Sequence, residues 1–262
     1  QFHHSFFVDG DTVWAVGRKS RIEPRVHDSI YTLSDYIQPI SLEDGRPGER
    51  HYVIDMFLDT PFEHLIPTLS HRDFKPEKSI DVIHLNQIEV FDGSQEARSP
   101  LLAKGNFLVC FRNMNTIAIV DRNTMKVVWV WGAGNLVLPH HPTLVDDARI
   151  LVFNNGKTAS EVLEVDLPTA SVVWRYGPGE SFFTKTRGSN QRLPNGNTVV
   201  AESDSGYVHE VTREGEIVWT FANPDVDDTG MRSAIWRMNR YPIDALPFLA
   251  EPTPPEPLRP VR

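Results

Sequence analysis

The chemistry this sequence offers rests on histidine and arginine. His84 opens the segment His84-Leu85-Asn86-Gln87-Ile88 and His140 opens His140-His141-Pro142-Thr143-Leu144; the two segments align as the starts of two repeats. His3 reaches the same position if the turn at Asp9-Gly10 is one residue shorter. Near neutral pH an imidazole serves as nucleophile, as general acid or base, or as metal ligand, and residue type alone leaves all three open. Beyond the following strand come Arg112-Asn113-Met114-Asn115 and Asn154-Asn155-Gly156-Lys157. The planar Arg112 guanidinium suits bidentate recognition of an oxyanion. The Asn and Gly residues around it equally suit turns, because they tolerate left-handed backbone angles. The fourth repeat, Gly188-Ser189-Asn190-Gln191, has no histidine at this position, and Arg187 is its nearest charged neighbour. The candidate catalytic residues are therefore His140, His84 and Arg112. His3, Asn86, Asn115, His141, Asn155 and Arg187 are the candidate substrate-binding residues, with no metal or cofactor expected.

These residues are placed by an internal repeat. Trp129, Trp174 and Trp219 end the alike segments Val127-Val128-Trp129, Val172-Val173-Trp174 and Ile217-Val218-Trp219, a period of about 45 residues. Each is preceded by a strand end and turn, and upstream by a β-rich run such as Phe107-Leu108-Val109-Cys110 or Ile150-Leu151-Val152-Phe153. Short strands, turn residues between them and no helical period predict an all-β chain. Four strands per unit at this period fit the blade of a β-propeller better than an evenly spaced sandwich. Four blades are expected, starting near residues 3, 84, 138 and 187, as part of a five- or six-bladed propeller. Asp55 to Leu69 reads as a loop or short helix. Met231 to Phe248 reads as a tail that adds a strand to another blade.

The expected division is a propeller over residues 1–248 and a Pro-rich tail over 249–262. Each proline in Glu251-Pro252-Thr253-Pro254-Pro255-Glu256-Pro257 removes a ladder donor. The tryptophans read as repeated blade core, Leu193-Pro194-Asn195-Gly196-Asn197 as a tight turn between strands, and His209 as structural.

Composition narrows the partners. The chain carries 35 acidic and 26 basic side chains, a net charge of −9, with 40% hydrophobic residues. Nucleic acid and anionic membrane surfaces reward clustered Lys and Arg, which are absent here. Cys110 is the single cysteine, so no intramolecular disulfide forms. No apolar run is long enough to span a bilayer as a helix. The strand-like opening Gln1-Phe2-His3-His4 reads as a processed or truncated start whose export signal or anchor is missing. An open ring of four blades also suits association with a second copy.

The ordered set His84-Leu85-Asn86, Phe111 to Asp121, His140, Phe153-Asn154-Asn155-Gly156 and Gln191 to Asn197 resembles the bacterial arylsulfotransferase family over about residues 1 to 245. The resemblance implies a six-bladed propeller that is exported or membrane-anchored. It also implies movement of a sulfuryl group from an aryl sulfate to a phenol through a sulfated histidine, without a nucleotide donor. By resemblance His84 and His140 match channel histidines, and Arg112 and Asn155 match polar pocket residues. The family's nucleophilic histidine comes from a late blade, where this chain has Arg187-Gly188-Ser189-Asn190. Three readings stay open: sulfuryl transfer with His140 or His84 as nucleophile, a non-catalytic propeller binding an anion, glycan or protein, and a metal site of His3, His84 and His140.

Overall fold

The computed structural model describes residues 1–69 and 79–246. Its strands form four antiparallel sheets of four, each running in chain order. The first blade comprises β1 (Phe2–Asp9), β2 (Thr12–Glu23), β3 (His27–Ser41) and β4 (His51–Tyr52). The second comprises β5 (Leu85–Val90), β6 (Phe107–Phe111), β7 (Thr116–Asp121) and β8 (Lys126–Trp131). The third comprises β9 (His140–Val145), β10 (Arg149–Asn154), β11 (Glu161–Asp166) and β12 (Ser171–Tyr176). The fourth comprises β13 (Ser189–Arg192), β14 (Thr198–Glu202), β15 (Tyr207–Val211) and β16 (Ile217–Ala222). The innermost strands β1, β5, β9 and β13 neighbour one another in turn, so the fold is a β-propeller whose repeats are its blades. The expected blade starts fall within two residues of these strands.

The two-residue period of a strand explains why the middle strands are apolar on both faces. Along β6, Phe107, Val109 and Phe111 join the core shared with the first blade, where they meet Trp14, Val16 and Ile37. The alternate residues Leu108 and Cys110 join the core shared with the third blade, against Ile150 and Val152. Between the third and fourth blades, Leu151, Phe153 and Val162 pack with Val200 and Val211. The second and third blades are thus each glued to two neighbours by opposite sets of side chains, while the first and fourth each pack on one neighbouring blade.

After β4 the chain turns through a short helix, α1 (Val53–Phe57), and a 3-10 turn (Glu63–Leu65) that packs on the first core. The tryptophan expectation needs one correction. Trp174 is buried at 9% exposure, Trp129 is half-buried, and Trp219 is 37% exposed beside exposed Ile217 and Val218. Among the described residues no blade packs on that face of β16; the Arg240 guanidinium covers the Trp219 ring at 4.2 Å. The segment after β16 forms no ladder strand among the described residues. It lies along the fourth blade instead, where Gln191 and the Arg240 backbone exchange two hydrogen bonds of 2.9 and 2.7 Å. The expected Pro-rich tail at 249–262 lies outside the described residues. No helix among the described residues is long and apolar enough to cross a membrane.

Candidate functional site

Local backbone geometry turns the start of each innermost strand toward the channel. His4, His84, His141 and Arg187 all adopt positive φ, at 59°, 58°, 47° and 67°. That region is unfavourable for residues with a Cβ and persists only where surrounding structure fixes it. Ladder register also slips at these places, between Phe2 and Phe6 on β1 and between Leu85 and Gln87 on β5. A bulge re-aims a side chain, and here it aims imidazoles inward.

They converge on a cavity of about 360 Å³. The first blade contributes His4; the second His84, Asn86, Gln87 and Arg112; the third His140 and His141. The fourth contributes Thr186, Arg187 and Gly188, and the C-terminal segment adds Trp236 and Arg237. In a chain of net charge −9, this wall holds three arginines and four histidines and no carboxylate. Such a wall attracts an anion. Arg112 donates to the Asn113 amide oxygen at 2.8 Å, so its charge is oriented without being neutralised. Arg187 pairs with Asp204 at 3.0 Å and lies under the Trp236 ring at 4.3 Å. The Arg187 Nε and Asn86 Oδ1 atoms are buried without a hydrogen-bond partner among the described residues, which leaves bonding capacity at the wall.

The tautomer of His140 follows from its neighbour. Asn155 is fully buried and donates through Nδ2 to the carbonyls of Thr184 and Arg187, each at 2.8 Å. Its Oδ1 therefore faces His140 Nδ1, 2.7 Å away, and must accept from it. The proton sits on Nδ1, and Nε2 keeps the lone pair. Burial pushes the His140 pKa down to about 4, with the bond to Asn155 opposing and the Arg112 charge assisting. At neutral pH His140 is a neutral imidazole held in one orientation, with the lone pair on Nε2. His141 is lowered to about 3 by burial, and its Nδ1 accepts the Asn190 N–H at 3.3 Å.

Opposite stands a file of imidazoles. His84 Nδ1 lies 2.6 Å from Asp81, and His84 Nε2 lies 3.2 Å from His4 Nε2. His4 Nδ1 meets His3 Nδ1 at 2.5 Å, and His3 Nε2 lies 3.3 Å from Asp35. Withdrawal from water, with His84, His3, Arg18 and His140 nearby, lowers the His4 pKa to about 3.

Of the residues singled out in the sequence, His84, His140, His141, Asn86, Arg112 and Arg187 line the cavity together. Three stand behind it. His3 is turned to Asp35 and Arg18, Asn155 orients His140, and the Asn115 side chain accepts the Leu138 N–H at 2.8 Å. His4 occupies the first-blade position expected for His3, because the β1 bulge shifts the register by one side chain. The three-histidine metal reading does not fit this arrangement. Among the described residues no group of three or more His, Cys, Asp or Glu side chains is placed to hold a cation. His4, Gln87, Thr186, Trp236 and Arg237 escaped the sequence reading. Only His4 carried a signal, the doublet His3-His4 echoing His140-His141.

A propeller with an anion-attracting, histidine-lined cavity at the starts of its innermost strands is the class that fold and site define. The chain belongs to the arylsulfotransferase (ASST) family, whose model matches residues 1–224. No curated protein matches it. Among solved structures, a protein of unknown function from Bacteroides caccae is 14% identical, with a TM-score of 0.45, over 74% of this chain and 59% of that one. Virginiamycin B lyase from Staphylococcus aureus is 12% identical, with a TM-score of 0.47, over 84% of this chain and 55% of the lyase. The Dos1 propeller is 8% identical, with a TM-score of 0.48, over 84% of this chain and 56% of that structure. The chain spans little more than half the length of these neighbours.

Proposed function

We propose that this propeller transfers a sulfuryl group from an aryl sulfate to a phenol, with His140 as nucleophile. The observation that carries this is the Asn155 clamp, which leaves Nε2 of a neutral His140 as the basic atom in a cavity walled by arginines. Nε2 attacks sulfur, the bond from sulfur to the aryl oxygen breaks, and the aryl oxide leaves with the electron pair. Arg112 holds the sulfuryl oxygens and stabilises the charge that grows on them. The His4 and His84 pair, across the cavity, supplies a proton to the departing oxygen. A phenol then attacks the sulfated imidazole, and the bond from nitrogen to sulfur breaks in turn. Trp236 offers an aromatic face beside Arg187 for the aryl group. By its family the reaction belongs in the periplasm or at the cell surface.

The test is release of 4-nitrophenol from 4-nitrophenyl sulfate with and without phenol as acceptor. Acceptor-dependent release that is lost in His140→Asn is expected; release that survives in this variant sinks the assignment. A second reading has one observation in its favour, Arg187 at the fourth-blade position where the family's nucleophile is expected. On that reading the cavity binds an aryl sulfate without cleaving it, and calorimetry detects binding with no phenol released.

A further inference from the structure

We propose that Arg237, His141 and Gln87 form a second anion subsite at the neck of the cavity, which selects aryl sulfates that carry a carboxylate on the ring. The inference rests on the sulfuryl-transfer reading above and names the class of aryl sulfate that the site takes.

A second cavity of about 260 Å³ adjoins the histidine-lined one. The two have Gln87, His141 and Arg237 in common, so these side chains stand where the cavities meet. Each keeps a donor that the protein does not use. Gln87 Oε1 accepts from Ser5 Oγ at 3.1 Å and from Arg237 at 2.8 Å, so the other end of its amide is the free NH₂. His141 Nδ1 accepts the Asn190 N–H, which puts the proton of the neutral ring on Nε2. Among the described residues neither the Gln87 NH₂ nor His141 Nε2–H meets an acceptor, and Arg237 donates through Nη2 alone. Three converging donors, one of them charged, are the surroundings a carboxylate requires.

The Arg237 charge is not neutralised from within. Burial lowers its pKa, with Tyr241 and Glu89 opposing, so an anion at the neck would relieve the cost of holding the cation there. Glu89 does not supply that anion. Both its oxygens face the Leu144 N–H at 3.3 Å, and withdrawal from water raises its pKa to about 8, which leaves it an uncharged acid at neutral pH. Arg192, the other arginine of the second cavity, is already paired with Glu164.

Depth separates the two unneutralised guanidinium groups. The Arg112 backbone N–H donates to the His84 carbonyl at 3.0 Å, which sets this residue at the start of β5. Arg237 holds Gln87, three residues further along, at most about 10 Å of strand. A sulfuryl group on Arg112 therefore leaves its aromatic ring lying between the two, with the far substituent toward Arg237. An aryl sulfate ester carries one charge, which Arg112 matches; the second guanidinium calls for a second charge. Arg237 lies beyond residues 1–224 that match the family model, so this selectivity comes from the chain's own C-terminal segment.

The test compares 4-carboxyphenyl sulfate with its neutral amide, 4-carbamoylphenyl sulfate, in wild type, Arg237→Gln and Arg237→Lys. Wild type is expected to favour the acid by roughly 10- to 100-fold in kcat/KM, the size of effect that a hydrogen bond to a charged group gives. The ratio is expected to fall to near one in Arg237→Gln and to recover in part in Arg237→Lys. A wild-type ratio near one overturns the subsite, whatever the variants do. An equal loss with both donors in Arg237→Gln leaves the ratio standing, which also overturns it and gives Arg237 a structural role. Turnover of neither donor by wild type defeats sulfuryl transfer itself, and calorimetry with the same two compounds then decides the subsite independently. Binding of the acid at least about tenfold tighter than the amide, lost in Arg237→Gln, supports it; equal affinities overturn it.

Discussion

Asn155 fixes the protonation of His140 through a bond whose direction admits one solution. Its amide donates to two carbonyls behind the cavity, so its oxygen must accept from His140 Nδ1 at 2.7 Å. The carbonyls belong to Thr184 and Arg187, at the entry to the fourth blade. One buried side chain thus ties His140 of the third blade to the backbone of the next.

Replacing Asn155 by Asp keeps an acceptor for His140 and removes both donations. The new carboxylate also favours imidazolium, so the His140 pKa rises from about 4. The acid limb of kcat/KM is expected to move to higher pH, because more His140 is protonated at a given pH. The Arg187 carbonyl loses its donor, at about 1–3 kcal/mol, while the Thr184 carbonyl keeps a longer bond from Ser160 at 3.3 Å. Urea unfolding checks this cost, and an unmoved acid limb would contradict the clamp.

Arg112 donates to the Asn113 amide and Arg237 to the Gln87 amide, each at 2.8 Å, and Arg112 is the one in the second blade. Hydrogen bonds to charged groups are worth about 1.5–3 kcal/mol, so Arg112→Gln is expected to lower kcat/KM for an aryl sulfate by roughly 10- to 100-fold. Arg112→Lys restores charge without the planar fork and is expected to recover only part of the loss. Full recovery with Lys would mean that charge alone matters.

The blades were legible because strand period and turn chemistry recur with the tryptophans, and each middle strand must feed two cores. Six cavity residues were legible for the same reason: equal positions in equal repeats converge on one axis. His4 was not, since a bulge on β1 and its φ of 59° decide which member of the doublet faces inward. Nor were Trp236 and Arg237, which reach the cavity on an irregular segment with no periodicity to align. Trp219 shares its motif with Trp174, yet burial depends on what packs against it, and no motif records that.

The two tryptophans give a direct comparison of burial. Trp174 donates to the Arg213 carbonyl at 2.7 Å and is flanked by the Arg192 and Arg213 guanidinium groups. Trp174→Ala is expected to cost about 3–5 kcal/mol, the range for buried large side chains. Trp219→Ala removes a ring that is 37% exposed and is expected to cost clearly less. Denaturant midpoints of the two variants measure the difference, and equal losses would mean that the last blade face is covered in solution.

The dependence of stability on pH follows chiefly from three buried displaced groups, and His4, lowered to about 3 on an exposed ring, adds to the two histidines among them with the same sign. His140 and His141 are pushed down from 6.5 to about 4 and about 3, so below pH 6.5 the unfolded chain binds protons that the fold refuses. Stability therefore falls as the pH drops from 6.5 toward 4, by roughly 1.4 kcal/mol per unit for each histidine. Glu89 acts in the opposite sense. Withdrawal from water raises it from 4.5 to about 8, with the Leu144 N–H opposing, so the folded protein keeps a proton that the unfolded chain releases. Its contribution is full below pH 4.5 and is lost as the pH rises through 8. Between 4.5 and 6.5 the two histidines outweigh the one glutamate; above 6.5 the glutamate acts alone. Stability is thus expected to peak near pH 6.5, and Glu89→Gln to flatten the alkaline side of the peak. Urea midpoints from about pH 5 to pH 9 measure both curves. A wild-type midpoint that does not fall between pH 6.5 and 8.5 would show that Glu89 ionises in the fold as it does in water.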